Sequence, residues 1–440
     1  MGGSAMLEHG IKCTAVAFFA AAAALAGGFA PAALAAGASA KAHWVGTWGA
    51  SPEPPRPTVG RFAGTPGYSN QTIRQLVRIS AGGTHLRIHF TNEYGTHALH
   101  IGAASVALVD ANGALEPGTE RTVTFGGKAD AFIPAGAPYV SDAIDLAVKP
   151  LATVSISVYL PEQTGPCTCH GIGLQTAYVS GPGNFVGKSF DAAQKIQSRA
   201  FLSGVDVETA TSGGAIVALG DSITDGFGSM PDTNTRWPDL LANRLGAQHG
   251  GGVWGVVDMG ISGNQVLADG AGDSALHRFD RDVLSVPGVR YVIISNGLND
   301  LVNSYGGASA PPSGPALNDP RASAPKASAA ALIAGYRQLI ERAHTHGIKV
   351  LGATLTPYEG AVLGKNANLY SPEGEAQRQI INRWIRTSGA FDGVLDFDAA
   401  WRDPQHQTRI IENLQHGDHL HGNLAGYQAL AQSINVALFK

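Results

Sequence analysis

The sequence predicts an all-β sandwich followed by an α/β fold whose parallel sheet carries helices on both faces. Three observations predict it. Between about Trp44 and Gly204, apolar residues alternate with polar ones at period two, with turn residues between the runs. At Ser212-Gly213-Gly214 the period changes, and short apolar runs then alternate with longer helical ones. The first of these runs, Ile216-Val217-Ala218-Leu219, leads into Gly220-Asp221-Ser222-Ile223-Thr224-Asp225-Gly226. That pattern is a buried strand turning into a helix at a corner that carries a serine.

Composition sets the bounds. A chain of 440 residues is long for one typical domain and comfortable for two. Gly 57 and Pro 24 point to many turns, and 44% hydrophobic residues supply real cores. A net charge of −4 gives no reason to expect nucleic acid or an anionic membrane surface as partner.

The first residues are expected to lie outside the fold. Lys12 precedes an apolar run from Thr14 to Ala30, then Pro31, and Ala33-Leu34-Ala35 fits a small-x-small cleavage site. Residues 1–35 therefore read as a secretory signal peptide, which makes the protein secreted or periplasmic with no stable membrane insertion after cleavage. A membrane anchor is the weaker reading, because the run is short and rich in Ala and Gly. No lipobox precedes Cys13. Cleavage leaves Cys167 and Cys169, in Gly-Pro-Cys-Thr-Cys-His170. A local disulfide or two free thiols are favoured there over a metal, for which the stretch offers too few ligands.

Residues 42–205 form the expected β part. Leu86, Ile88 and Phe90 alternate with Arg87, His89 and Thr91; Val154, Ile156, Val158 and Leu160 alternate with Ser155, Ser157 and Tyr159. Such alternation means one buried face and one wet face. Gly82-Gly83, Asn112-Gly113, Gly126-Gly127 and Pro134-Ala135-Gly136 separate the runs, and no long helical stretch intervenes. This is a β-sandwich or jelly roll. Its role reads two ways: recognition of carbohydrate or substrate by exposed Trp, Tyr and His side chains, or structural support packed beside the other part. Isolated aromatics favour the second, being more often core than platform.

Residues 213–440 form the expected catalytic part. Strands are predicted at Ala215–Leu219, Val253–Met259, Arg290–Ser295, Ile348–Leu355 and Val394–Phe397. Helices are predicted at Arg236–Leu245, Ser274–Leu284, Ser328–His346, from Ser371-Pro372-Glu373 onward, and Asn423–Leu438. Ser328 is a candidate N-cap and Gly347 a stop; Pro372 suits a first helical position. In such sheets the chemistry sits at the carboxyl ends of the strands.

The chemistry-bearing residues fall at those ends. A serine hydroxyl is a weak nucleophile at neutral pH and needs a base beside it. Helix amides beyond Ser222 favour negative charge where an oxyanion would form. After the second strand comes Gly260-Ile261-Ser262-Gly263-Asn264, whose glycine N–H suits an oxyanion. The third strand ends in Asn296-Gly297-Leu298-Asn299-Asp300, which offers an amide as second donor. Gly417-Asp418-His419-Leu420-His421-Gly422-Asn423 closes the set. Asp418 and His421 are expected to share a face of a helical turn, so that the carboxylate holds the imidazole ready to take the Ser222 proton. Each piece has a plainer reading: an N-cap at Asp221 or Ser222, a turn at Gly263, a helix cap at Asn299, a surface residue at His421. Four pieces in order, at four element ends, argue against coincidence.

The four blocks, Gly220-Asp221-Ser222, Gly263, Gly297-Leu298-Asn299-Asp300 and Asp418-His419-Leu420-His421, resemble those of the SGNH (GDSL-type) hydrolases. Members of that family are esterases, lipases, lysophospholipases and carbohydrate deacetylases. The resemblance covers roughly Ala215 to Lys440 and implies a flavodoxin-like three-layer α/β/α domain. It implies Ser222 as nucleophile, His421 as base and Asp418 as its orienter. It implies an oxyanion hole from the backbone N–H of Ser222 and Gly263 and the Asn299 side chain. It implies neither cofactor nor metal. Ile223 stands where the family usually has Leu. The β part resembles, more loosely, the N-terminal domain of some exported two-domain members.

The expected function is hydrolysis of a small-molecule or glycan-borne carboxylic ester. The same residues would serve a lysophospholipase or lipase, or an acyltransferase in which an alcohol replaces water. A metal site from His416, Asp418, His419 and His421, with His344 and His346 as a second pair, competes less well because it leaves Ser222, Gly263 and Asn299 without a role. A carbohydrate-binding protein with an inactive hydrolase part competes less well still, since all four blocks are intact. Val302–Lys326, rich in Ser, Ala, Pro and Gly, reads as a loop at the site's rim, either a lid or a disordered insertion.

Overall fold

Two antiparallel sheets account for the alternating runs. In the computed structural model, which describes residues 41–57, 65–110, 113–248, 254–306, 326–363, 367–440 and Met1, one sheet runs His43–Gly49, Leu202–Thr209, Gly83–Thr91. Pro138–Val140 and Ile144–Val148 both pair with Gly83–Thr91. The other sheet runs Ala192–Ile196, Ala177–Pro182, Gln71–Arg78, Thr153–Leu160, Ala103–Leu108, Arg121–Thr122. Leu86, Ile88 and Phe90 of the first sheet and Ile73, Val77, Val154, Ile156 and Val158 of the second share one buried apolar cluster.

One expected wet face is dry. Ser155 and Ser157 are only 2% and 3% exposed. Their strand is central, paired with Gln71–Arg78 on one side and Ala103–Leu108 on the other. Side chains from these neighbours lie over it, and Arg74 Nε donates to Ser157 Oγ at 3.0 Å.

The α/β part is built on a sheet in which every pairing is parallel, in the order Trp254–Gly260, Gly214–Gly220, Val289–Ser295, Lys349–Ala353, Gly393–Leu395. The first strand of this part, Gly214–Gly220, thus lies inside the sheet, with the next two on either side of it. That reversal opens a crevice at the carboxyl ends. The strand alternates between two cores. Ala215, Val217 and Leu219 join Leu332, Tyr336 and Ile381 from Ala329–Thr345 and Pro372–Thr387. Ile216 and Ala218 join Trp237, Leu241, Tyr427 and Leu430 from Trp237–Gln248 and Leu424–Ser433.

Capping side chains set the helix starts where the sequence suggests. Ser328 accepts from Ala331 N–H at 3.2 Å, Ser371 from Gly374 N–H at 3.1 Å, and Asn423 from Gly426 N–H at 3.0 Å. Four expected spans differ. The helix at Ser274–Leu284 is α-helical only over Ala275–Phe279 and continues as a π-turn, Asp280–Leu284. The last strand stops at Leu395, because Asp396 accepts from Ala399 N–H and starts a helix, Phe397–Trp401. The last helix ends at Ser433, and Asn435 caps a separate 3-10 turn, Val436–Leu438. Val302–Tyr305, expected in a loop, complete the helix Leu298–Tyr305. Residues 307–325 of that loop and 2–35 lie outside the described residues. Among the described residues no helix is long and apolar enough to cross a membrane.

Residues after Ala40 form one compact unit, and the junction between its two parts is a sheet edge. Trp254–Gly260 is the outer strand of the parallel sheet. An uncovered edge offers unpaired N–H and C=O groups to other chains. Here Val256 N–H donates to Ser80 Oγ at 2.7 Å, and Gly46 N–H to Pro287 O at 2.9 Å. The backbones approach so closely that a Cβ on Gly255 would collide with the Gly46 carbonyl. Val45, Val257, Met259 and Val286 belong to the same apolar cluster as the two antiparallel sheets.

Candidate active site

Ser222 stands at the carboxyl end of Gly214–Gly220, as its position after a buried apolar run predicts. Asp221 caps the turn that follows, its carboxylate accepting from Ile223 N–H at 3.1 Å. The helix there is a single turn, Ser222–Asp225, closed by Gly226 at φ 83°. That left-handed conformation ends a helix cheaply only with glycine.

His421 Nε2 lies 2.8 Å from Ser222 Oγ, and His421 Nδ1 lies 2.6 Å from Asp418 Oδ2. The three expected side chains are therefore one hydrogen-bonded chain. A carboxylate only accepts, so Nδ1 carries the proton and Nε2 turns its lone pair to the serine hydroxyl. The local conformation is not the helical turn expected. Residues 417–421 are a bend, with His419 at φ 57°. Asp418 Oδ1 accepts from the N–H of Leu420 and of His421, both at 2.9 Å, and folds the chain back on itself. Burial alone would raise the Asp418 pKa. The hydrogen bond from His421 and the two N–H bonds outweigh it and hold the carboxyl at about 2. The Phe227 ring packs 4.5 Å from the His421 ring.

The two other candidate blocks meet beside this serine's strand. Ile261–Asn264 is a turn closed by Asn264 N–H on Ile261 O at 3.0 Å, and Gly263 takes φ 84° there. Asn299, in the first turn of Leu298–Tyr305, donates Nδ2 to Asn264 O at 3.1 Å. One amide hydrogen ties Asn299 to the Gly263 turn and leaves the second for another acceptor. Asp300 holds the next residues, accepting from Val266 N–H at 2.8 Å and Leu267 N–H at 3.0 Å. Burial pushes the Asp300 carboxyl up to about 7 against those bonds. Gly297, at φ 131°, is required because a Cβ would collide with the Tyr336 hydroxyl, which donates to Asn296 O at 2.6 Å.

Two buried cations were not singled out by the sequence reading. Arg278 donates to Met259 O at 2.6 Å, Gly220 O at 2.9 Å, Asn264 Oδ1 at 3.1 Å and Asp282 Oδ2 at 2.7 Å. It joins the ends of two strands to the Gly263 turn. The available signal is an arginine between Ala275 and Phe279 on the apolar face of its helix, with Asp282 one turn on. His170 comes from the β part and is 4% exposed. Its Nδ1 lies 3.0 Å from Ser51 O, and its Nε2 lies 3.1 Å from Asp225 Oδ1 and 3.2 Å from Ile172 O. Both nitrogens face acceptors, so both carry protons. Cys167 and Cys169, just before it, are joined as a disulfide with Cα atoms 5.4 Å apart.

The His170 environment predicts a pH effect on stability. Burial lowers its pKa, but Asp225 and then Glu53 raise it, Arg236 opposing, for a net rise from 6.5 to about 9. A raised pKa contributes stability that is complete below the unfolded value and is lost as pH climbs through the folded one. Wild type should therefore melt above the His170→Gln variant at pH 6, with the gap closing by pH 9.5. Calorimetric melting at both pH values checks this; a gap that widens with pH would contradict the charged assignment.

The histidines considered for a metal do not gather. His344 pairs with Asp392 at 2.8 Å, His346 with Arg342 O at 3.0 Å, and His416 packs edge-on against Phe227. Among the described residues, the three-ligand group is elsewhere, at Asp269, Asp273 and His277. A cavity of about 320 Å³ lies at the junction, lined by Trp48, His89, Glu93, Asp206 and Arg281 among others, with none of Ser222, Asp418 or His421 in its wall.

Residues 218–429 match the GDSL-like lipase/acylhydrolase family. The chain carries a domain of that family, as the four blocks imply, and is by class a carboxylic ester hydrolase. Solved structures resemble it over half its length. LAE5, an α/β hydrolase from the metagenome of Lake Arreo, Spain, is 22% identical with a TM-score of 0.38, over 52% of this chain and 96% of that one. A catalytic mutant of Axe2, an acetylxylan esterase from Geobacillus stearothermophilus, is 19% identical with a TM-score of 0.37, over 51% of this chain and 93% of that one. No curated protein matches the chain.

Proposed function

We propose that this protein is an exported serine esterase that hydrolyses small or glycan-borne carboxylic esters through an acyl-enzyme. The observation that carries the reading is the chain Ser222–His421–Asp418, with links of 2.8 Å and 2.6 Å. His421 Nε2 takes the Ser222 proton as Oγ attacks the ester carbonyl. The tetrahedral oxyanion is received by the N–H groups of Ser222 and Gly263 and by the free amide hydrogen of Asn299. Asp418 steadies the imidazolium so formed. The alcohol leaves with the proton from His421. Water, deprotonated by His421, then attacks the acyl carbon; the acid departs and Ser222 Oγ regains a proton.

The preference for small or glycan-borne acyl groups rests on the expected export and on the β part beside the hydrolase part. Leu298 and Leu420, next in sequence to Asn299 and His421, are buried with Tyr358 and Leu369 in a closed apolar cluster. In this reading the architecture is a flavodoxin-like three-layer domain behind a β-sandwich, and 1–35 is a leader that delivers the protein outside the cytoplasm.

The test is labelling by an aryl fluorophosphonate together with hydrolysis of p-nitrophenyl esters from acetate to palmitate. The expected result is one phosphonyl group on Ser222, found by peptide mass spectrometry, and turnover strongest on acetate and butyrate. Turnover on an acetylated glycan would then be measured. Turnover without Ser222 labelling would overturn the mechanism; turnover strongest on palmitate would overturn the acyl preference.

A further inference from the structure

At His170 the β part makes a buried contact with the candidate active site. Asp225, 2% exposed, is the last residue of the helical turn that begins with Ser222. Its Oδ1 meets the His170 imidazolium at 3.1 Å. Its Oδ2 accepts from Ser262 N–H at 3.0 Å and from Ser262 Oγ at 2.6 Å. Ser262 is next to Gly263. On the other side, Gly260 packs so tightly against the Asp225 backbone that a Cβ would collide with it. The carboxylate thus bridges the serine's own turn and the turn that carries a proposed oxyanion donor.

Such a bridge holds its geometry only while both oxygens are matched. A buried carboxylate without a full set of partners costs more than its bonds return. The nearby cation Arg236 also feels the Asp225 charge, but its direct partners are Asp258 at 3.5 Å and Gly173 O. His170 is itself fixed, by Ser51 O at one nitrogen and by Glu53 Oε1 at 3.7 Å. The cation therefore sits in a seat built by one part of the protein and bonds to a turn of the other.

We infer that His170 is a positioning residue for ester hydrolysis: its imidazolium holds Asp225 so that the Ser262–Gly263 turn stays at the right separation from Ser222. This rests on the reading of Ser222 as nucleophile and Gly263 N–H as oxyanion donor. It gives the β part a role in catalysis without contact with substrate. An oxyanion donor acts mainly in the transition state, so loss of its placement lowers kcat and leaves KM little changed.

The experiment compares wild type, His170→Ala, His170→Gln and Ser262→Ala in the full chain, with p-nitrophenyl acetate kinetics, fluorophosphonate inactivation rates and melting temperatures. Glutamine keeps a donor towards Asp225 without the charge, and Ser262→Ala keeps the backbone N–H bond while deleting the hydroxyl. The expected result is a kcat lowered roughly 10- to 100-fold in His170→Ala with KM within about threefold, a matching fall in inactivation rate, and substantial recovery in His170→Gln. Ser262→Ala should fall between. A His170→Ala protein that melts earlier but keeps wild-type kcat would overturn the inference and leave a structural tie only. Should that variant not fold, His170→Gln and Ser262→Ala decide, and both within twofold of wild type would overturn it. Labelling of Ser222 in wild type separates the two claims. Its absence removes the esterase reading, whereas its presence with unaffected variants removes only the role of His170.

Discussion

Ser222→Ala is expected to lower ester turnover by roughly 10⁴- to 10⁶-fold while shifting the melting temperature by only a few degrees. The asymmetry follows from what the hydroxyl does. It makes one hydrogen bond, to His421 Nε2 at 2.8 Å, and a bond of that kind contributes about 1 kcal/mol to stability. Alanine is also the better residue inside a helical turn, which offsets part of the loss. The turn keeps its Asp221 cap and its Gly226 stop. His421 keeps Asp418, so the loop at 417–421 has no reason to rearrange. Chemistry loses far more, because no other group stands ready to form the acyl bond. Residual turnover would come from water activated by His421 at the same oxyanion donors. Steady-state kinetics with p-nitrophenyl acetate and thermal melting of both proteins check this. Activity near wild type would remove Ser222 as nucleophile, and a collapse in melting temperature would make the activity loss uninformative.

The sequence shows the elements of the fold because local signals agree there. Buried apolar runs, capping serines at 328 and 371 and the glycine stop at 347 act within a few residues, and the structure follows them closely. The four blocks are legible for the same reason, since each is a turn at a strand or helix end. What spacing cannot separate is the local conformation that brings Asp418 to His421. A helical turn and a carboxylate-capped bend both bring residues three apart together, and here the N–H bonds to Asp418 Oδ1 select the bend. Long-range pairing is less legible still. His170 lies 55 residues from Asp225 and 119 from Ser51 in sequence, and beside two cysteines it reads as a disulfide neighbour. Ser155 and Ser157 look solvent-facing until the flanking strands are in place, because burial of a strand's second face depends on what packs over it.

Arg278 shows how large a role a residue of this kind takes without any motif. Arg278→Met should lower stability by about 3–5 kcal/mol, the range for removing one partner of a buried ion pair, and the melting temperature by roughly 4–6 °C for a unit of this size. The guanidinium is inside the protein, 1% exposed; burial lowers its pKa and Asp282 opposes that shift. Methionine fills much of the volume but donates nothing. Asp282 would not be stranded, since Arg281 Nε at 2.7 Å and Ser51 Oγ at 2.5 Å remain, which places the cost at the lower end. The Met259 carbonyl loses its 2.6 Å donor, and Gly220 O keeps only Ile261 N–H at 3.1 Å. Those carbonyls end the two strands that present Ser222 and Gly263, so activity should fall as well. A displacement of about 1 Å at such a site costs roughly 100-fold in rate. Arg278→Lys discriminates between the two effects. Lysine keeps the charge near Asp282 but cannot span Gly220, Met259 and Asn264 from one planar fork. It should therefore regain more stability than kcat. Denaturant unfolding and kcat measured on the same preparations read both quantities. Equal recovery of the two in Arg278→Lys would mean that charge alone matters there, and that the fork does not hold the Gly263 turn in place.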